Sequence, residues 1–271
     1  MIRLALRVPL EHAEVVLAEL LDLAPHGVEE VDLGERIEYA VYGPPGELPA
    51  LPDLRAAAGG VPVEVVTTEV ADNWAERWRA FHRPVVIGDR LHLRPPWAEP
   101  RPDLQEVVID PGQAFGTGAH VTTRLCLELL LELKPTGPLM DLGCGSGVLA
   151  VAAAKLGWNP VHGIDHDPKA IEATHANARA NRVAVHAARF DLLRDGRVPS
   201  APTVTANLLR PLLLAACRAG FDPEPPRELI ASGLLTTEAD EIASVFAHRH
   251  GLREGARRQT TGWAALLLRR G

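Results

Sequence analysis

The residues best suited to chemistry in this chain fall into four short groups, each at the end of a strand-like run. The first is Asp141-Leu142-Gly143-Cys144-Gly145-Ser146-Gly147, set between a short apolar run and a helix-like one. Glycines there let the backbone turn tightly and approach a ligand with no Cβ in the way. The helix that follows opens with N–H groups that have no intrahelical acceptor. Dinucleotide-binding proteins use a similar turn, but their fingerprint wants glycine at position 148, where this chain has Val148. Asp141 stands just before the turn, and a carboxylate suits a ligand's ammonium better than a pyrophosphate.

Asp165, 22 residues after Gly143, ends the next strand-like run. A carboxylate at that place can accept both ribose hydroxyls of a nucleoside. Alternatively Asp165 and Asp167 cap the helix that Pro168 opens, the reading favoured for Asp167. Asp191 follows Phe190 after the third run, where a carboxylate can accept from an adenine amino group or simply face solvent. Asn207, in Asn207-Leu208-Leu209, offers a neutral carbonyl to an amine nucleophile, or closes a turn.

Upstream, the segment from Asp110 to Thr123 reads DPGQAFGTGAHVTT. Gly116 and Gly118 flank Thr117 beside Phe115, which gives a loop able to fold over a ligand. Thr122 and Thr123 precede an apolar helix and suit its N-cap, and His120 reads as a structural histidine rather than a base. His162, Asp165, His166 and Asp167 are metal-ligand types, but adjacent residues after a strand point different ways, so no metal site is expected.

The elements that must hold these groups alternate from about Leu104 onward. Strand-like runs at Leu139–Asp141, Val161–Asp165, Val183–Ala187, Thr203–Ala206, Leu229–Ser232 and Ala264–Leu268 interleave with helical ones. The helical runs are Leu125–Leu133, Val148–Leu156, Pro168–Ala180, Leu212–Ala219 and Thr237–His248. Such alternation predicts a parallel, doubly wound sheet with ligands at the carboxyl ends of its strands. Residues 1–69 read differently. Ile2–Val8, Gly27–Asp32, Glu38–Tyr42 and Val61–Val66 read as strands, Glu11–Leu23 and Leu51–Ala58 as helices. That β-α-β-β-α-β order is the ferredoxin-like motif, here with no catalytic cluster. Between them, residues 70–103 read as a connection: a helix over Asp72–His82 with Trp74, Trp78 and Phe81 on one stripe, then a Pro-rich stretch.

With 271 residues, 46% of them apolar and 23% charged, the chain has the composition of a soluble globular protein. No apolar run approaches the ~20 residues of a membrane span, and the N-terminus has no signal-peptide pattern. Cys126, Cys144 and Cys217 are too widely spaced for a disulfide framework or a zinc pair, so a reducing cytoplasm is expected. A net charge of −7 argues against non-specific nucleic-acid binding and is compatible with a basic protein partner.

At these residues the chain resembles the PrmA family, the methyltransferases of large-subunit ribosomal protein eleven. The resemblance is carried by DPGQAFGTGAHVTT, DLGCGSGVLA, GIDHDP and ANLL, with DNWAERWR ahead of them and TGWAALLL near the end. It implies a Rossmann-like seven-stranded methyltransferase domain over 104–271, behind a ferredoxin-like domain over 1–69 that recognises the ribosomal protein. S-adenosylmethionine is the implied cofactor, contacted at Thr123, Gly143, Asp165 and Asn207, with Phe115, Gly116 and Thr117 over it; Asp141, Gly145 and Asp191 complete the expected site. The chain departs from the expected pattern at Ala119 and Val121, where a polar or charged residue would stand.

The expected reaction moves a methyl group to a lysine or N-terminal amine. An ammonium of pKa about 10.4 must first lose its proton, which desolvation and a neighbouring cation favour. The sequence offers no dedicated base, so positioning by Asn207 would carry the catalysis. The alternative is the same fold acting on another protein or a small amine. A nucleic-acid base is disfavoured because Leu208 and Leu209 stand where a stacking aromatic would serve. Val148 disfavours a nicotinamide oxidoreductase, and the intact site residues disfavour a non-catalytic binder.

Overall fold

A computed structural model describes residues 2–13, 16–17, 20, 28–43, 63–69, 82–110, 120–260 and 262–271. The chain divides into two compact units, Met1–His82 and Arg83–Gly271.

In the first unit, β1 (Ile2–Pro9), β2 (Glu29–Asp32), β3 (Arg36–Gly43) and β4 (Glu64–Glu69) form one sheet in the order β2-β3-β1-β4. Every pairing in it is antiparallel. The alternation of β1 decides its faces. Leu4, Leu6 and Val8 are buried with Ile37, Tyr39 and Val41, and helical Ala13, Val16, Leu17 and Leu20 pack on them at helical spacing. The arginines of β1 bond across strands instead: Arg3 to Glu29 and Glu38, Arg7 to Glu38 and Glu64. The expected helix over Leu51–Ala58 and the Trp74, Trp78 and Phe81 stripe lie outside the described residues.

The second unit begins inside the stretch expected to be a connection. Strands β5 (Val85–Ile87), β6 (Leu91–Arg94) and β7 (Gln105–Val108) form a small sheet. Ile87, Leu91, Leu93, Val107 and Ile109 are buried in the same core as the helix that follows, so the part of the expected connection from 85 to 103 packs with this unit.

The main sheet has seven strands: β8 (Leu139–Leu142), β9 (Val161–Asp165), β10 (His186–Arg189), β12 (Thr203–Asn207), β14 (Glu228–Leu235), β15 (Leu252–Thr260) and β16 (Trp263–Arg270). Their order is β10-β9-β8-β12-β14-β16-β15, and β11 (Val198–Pro199) and β13 (Phe221–Asp222) pair apart. The first five are parallel to one another; β16 runs antiparallel between β14 and β15. Helices α1 (Val121–Glu132), α2 (Val148–Leu156) and α3 (Pro168–Ala180) pack with Leu139, Ile230, Ala265 and Leu267 on one face of the sheet. Helices α4 (Arg210–Ala219) and α5 (Ala239–His250) cover Met140, Val204, Leu229 and Leu266 on the other. Covered on both faces, β8 is apolar but for Asp141, whereas β12 alternates the buried hydroxyl residues Thr203 and Thr205 with Val204 and Ala206.

The third strand begins later than Val183. Asn181 and Arg182 end α3, Val183 N–H bonds back to Ala178, and Val185 is spent on the core beneath the helix end. The strand proper, His-Ala-Ala-Arg, lies at the sheet edge, where little apolar patterning is needed. Helix α1 starts at Val121 because His120, not Thr122 or Thr123, is its N-cap; the ring accepts from Thr122 N–H. No helix of the described residues is long and apolar enough to cross a membrane.

Candidate active site

Strands β8, β9 and β12 are neighbours, and their carboxyl ends deliver Asp141, the glycine turn, Asp165 and Asn207 to one end of the sheet. The turn is fastened to β9 by Gly143 N–H and Cys144 N–H, which both donate to Ile164 O. Two of its glycines are obligatory. Gly143 has φ +68° and a Cβ there would run into Leu208 Cδ2; Gly147 has φ +79° and a Cβ would lie 2.9 Å from Thr174 Cα. Gly147 is the N-cap of α2 and supplies no side-chain acceptor; of the helix's first N–H groups, that of Ala150 turns to the Asp141 carboxylate.

Asp141 is only 1% exposed. Its Oδ1 accepts from Thr205 Oγ1 at 2.7 Å, while no side chain or loop among the described residues is seen to bond Oδ2. Burial pushes its carboxyl up to about 7, against the downward pull of the Thr205 hydroxyl and the Ala150 N–H, and the charge of Asp165 adds to the rise. Asp165 closes the turn from the other side: Oδ2 accepts from Gly145 N–H and Oδ1 from Asp167 N–H, each at 3.0 Å. A carboxylate has about four acceptor sites, so a ligand hydroxyl can still bond either oxygen. Asp167 is the N-cap of α3, accepting from Lys169 N–H at 2.8 Å, as its position before Pro168 suggested.

Asn207 ends β12 with its Nδ2 donating to Thr123 Oγ1 on α1 at 3.3 Å. This leaves Oδ1 as the amide's acceptor, and no bond among the described residues uses it. Leu208 is buried against Gly143, and Leu209 is the N-cap residue of α4. Asp191 sits after β10, with Oδ1 accepting from Leu193 N–H at 2.9 Å and Oδ2 3.6 Å from Arg194. His120 bonds Thr122 Oγ1 at 2.6 Å and packs edge-on to Trp263, a structural arrangement. Phe115, Gly116 and Thr117 lie outside the described residues. His162 stacks on His186 rather than converging with Asp165, and no metal-binding cluster is found among the described residues.

Sequence reasoning missed what holds the turn from behind. Thr174, Asn177 and Asn181 form one buried polar stripe along α3. Thr174 Oγ1 donates to Gly145 O at 3.0 Å, and Asn177 Nδ2 to Ser146 O at 2.8 Å. Asn177 Oδ1 also accepts from Asp110 N–H, and Asn181 Oδ1 from Val108 N–H, so the end of β7 is tied to the same helix. The signal was present in the sequence: three polar residues at i, i+3 and i+7 on an alanine-rich helix.

A parallel sheet with one antiparallel strand in this order, a glycine turn after its central strand and acidic or amide side chains at the adjoining strand ends define a Rossmann-like methyltransferase. The family model "Ribosomal protein L11 methyltransferase (PrmA)" matches residues 54–271. Ribosomal protein L11 methyltransferases of Burkholderia cenocepacia and Burkholderia vietnamiensis are 36% and 35% identical, over 94% of this chain and 93% of theirs. The crystal structure of a ribosomal protein L11 methylase from Lactobacillus delbrueckii subsp. bulgaricus is 25% identical. It superposes with a TM-score of 0.61, covering 69% of this chain and 99% of that one. This chain therefore belongs to the ribosomal protein L11 methyltransferase family. It is a methyltransferase, and its cofactor is S-adenosylmethionine. The residues present fit that molecule: a buried carboxylate oxygen without a partner suits its ammonium, and the glycine turn admits its backbone-close approach.

Proposed function

We propose that this protein methylates ribosomal protein L11 in the cytoplasm, on lysine side chains, the N-terminal amine or both. The observation that carries the reading is Asn207, an amide oriented by Thr123 at the reaction end of the sheet with its carbonyl uncommitted. Asp141 accepts the cofactor's ammonium, and Asp165 its ribose hydroxyls. Gly143, Gly145 and Thr123 line or support the same crevice. Asp191 receives the adenine amino group, and Phe115, Gly116 and Thr117 contribute the loop above the ligand. Bound S-adenosylmethionine supplies an electrophilic sulfonium methyl.

Asn207 Oδ1 accepts a hydrogen from the incoming amine, which directs the nitrogen lone pair; an ammonium could make the same bond but has no lone pair with which to attack. Desolvation in the crevice and the nearby positive charge both favour loss of the amine's proton. Positioning of this kind supplies the catalysis without a dedicated base. The first unit, whose antiparallel order β2-β3-β1-β4 suits a ferredoxin-like domain, recognises the ribosomal protein. Tandem mass spectrometry of L11 treated with the protein and S-adenosylmethionine tests the reading. Methyl groups on lysine or the N-terminal amine are expected; methylation confined to a side chain other than an amine would overturn it.

A further inference from the structure

Thr205 carries a hydroxyl where the fold itself asks for none. It lies in the middle of β12, between β8 and β14, flanked by Val204 and Ala206, and is fully buried. A valine would fill the same space and suit a doubly covered parallel strand. A buried hydroxyl costs about 1–3 kcal/mol unless it is bonded. Its one hydrogen bond goes to Asp141 Oδ1 at 2.7 Å, and Asp141 is its direct cross-strand neighbour. Among the described residues, the groups acting on Asp141 supply no cation. Cys126 on α1 and Cys144 in the turn are thiols held protonated by burial, the latter pushed up to about 12. Asp165 carries the same sign as Asp141, and the Ala150 N–H of α2 is neutral. The chain thus builds a buried acid with one oxygen fixed and the other, among the described residues, without a hydrogen-bond partner.

We propose that Thr205 is a positioning residue for S-adenosylmethionine: its hydroxyl fixes Asp141 Oδ1, so that Oδ2 receives the cofactor's ammonium and Asp141 gives up its proton to solvent as the cofactor binds. The inference rests on Asp141 as the ammonium acceptor. The sign follows from the carboxyl's raised pKa: protonated Asp141 offers an ammonium only a neutral acceptor and no countercharge, so affinity falls as pH drops below about 7. The Thr205 hydroxyl favours the ionised form, and removing it moves this acid limb to higher pH.

Calorimetric titration with S-adenosylmethionine between about pH 5 and about pH 8.5 tests this, run in buffers of different ionisation enthalpy so that released protons are counted. Wild-type protein is expected to release a proton in the neutral range. Thr205→Val is expected to bind about tenfold more weakly at neutral pH and to shift the acid limb upward by about one pH unit. Thr205→Ser, which keeps the hydroxyl, restores both, and Thr205→Ala repeats the valine result should valine perturb the fold. A wild-type profile in both Thr205→Val and Thr205→Ala, or equal loss in Thr205→Ser, overturns the proposal. Asp141→Asn separates the layers. Unchanged affinity at every pH in that variant sinks the ammonium reading itself; lost affinity there, with Thr205→Val unchanged, sinks only the role of Thr205.

Discussion

Asn207, Asp165 and Asp141 differ in how much of each side chain the protein has already used, and their expected mutant effects differ accordingly. Asn207 spends its Nδ2 on Thr123 and keeps Oδ1. Asn207→Ala is expected to lower kcat about a hundredfold, the scale of lost reactant positioning, with cofactor affinity little changed; near-normal turnover would remove it from the mechanism. Asp165 both closes the glycine turn and keeps acceptor sites for a ribose. Asp165→Ala is therefore expected to weaken S-adenosylmethionine binding at least about tenfold, the loss of a charge-assisted hydrogen bond, measured by calorimetry. Asp141 titrates near 7 when folded against 3.8 in an unperturbed chain. Below about pH 4 both states are protonated; between there and pH 7 only the unfolded chain loses its proton. Its ionisation thus removes stability as pH rises through that window, by about 4 kcal/mol in total, and none above it. Asp141→Asn lacks this loss and should gain on wild type between about pH 5 and about pH 7 in cofactor-free urea unfolding; parallel profiles would contradict the buried-acid account.

At the scale of elements, the site depends on the join between the glycine turn and α3. Asn177 satisfies Ser146 O and Asp110 N–H together inside the core. Asn177→Ala leaves both unpaired and is expected to cost about 1–3 kcal/mol or more, read as a lower denaturant midpoint. Gly147→Ala meets both a positive φ and the Thr174 backbone, and a loss of about 1–3 kcal/mol is expected by the same measurement. The turn, its flanking strands and Asp141, Asp165 and Asn207 at strand ends were legible because covered parallel strands are apolar and the residues ending them are not. Strand β15 was not legible. Leu252 is its one buried residue, and Arg253, Glu254, Arg257 and Arg258 stand at an edge paired only with β16, where no alternation is required. Strands β5 to β7, on either side of a Pro-rich stretch, were hidden because each is only three or four residues long. Thr205 was invisible for another reason: a β-branched threonine within a strand reads as packing until its partner across the sheet is known.

At the scale of the molecule, the two units divide the reading. The second carries every described residue assigned to cofactor and reaction, on a scaffold whose strand order follows from alternating strands and helices in the sequence. The first carries cross-strand ion pairs and its own core. Its fourth strand is described over Glu64–Glu69, and its division from the second unit falls at His82 rather than at 69. The chemistry was therefore more legible than the boundary, because motifs mark ligand-facing turns whereas a boundary is marked only by where packing stops. The most direct test of the whole account is transfer of labelled methyl from S-adenosylmethionine to purified ribosomal protein L11 encoded by the same genome. The account predicts label on L11 amines; cofactor binding with no label on L11 would contradict it.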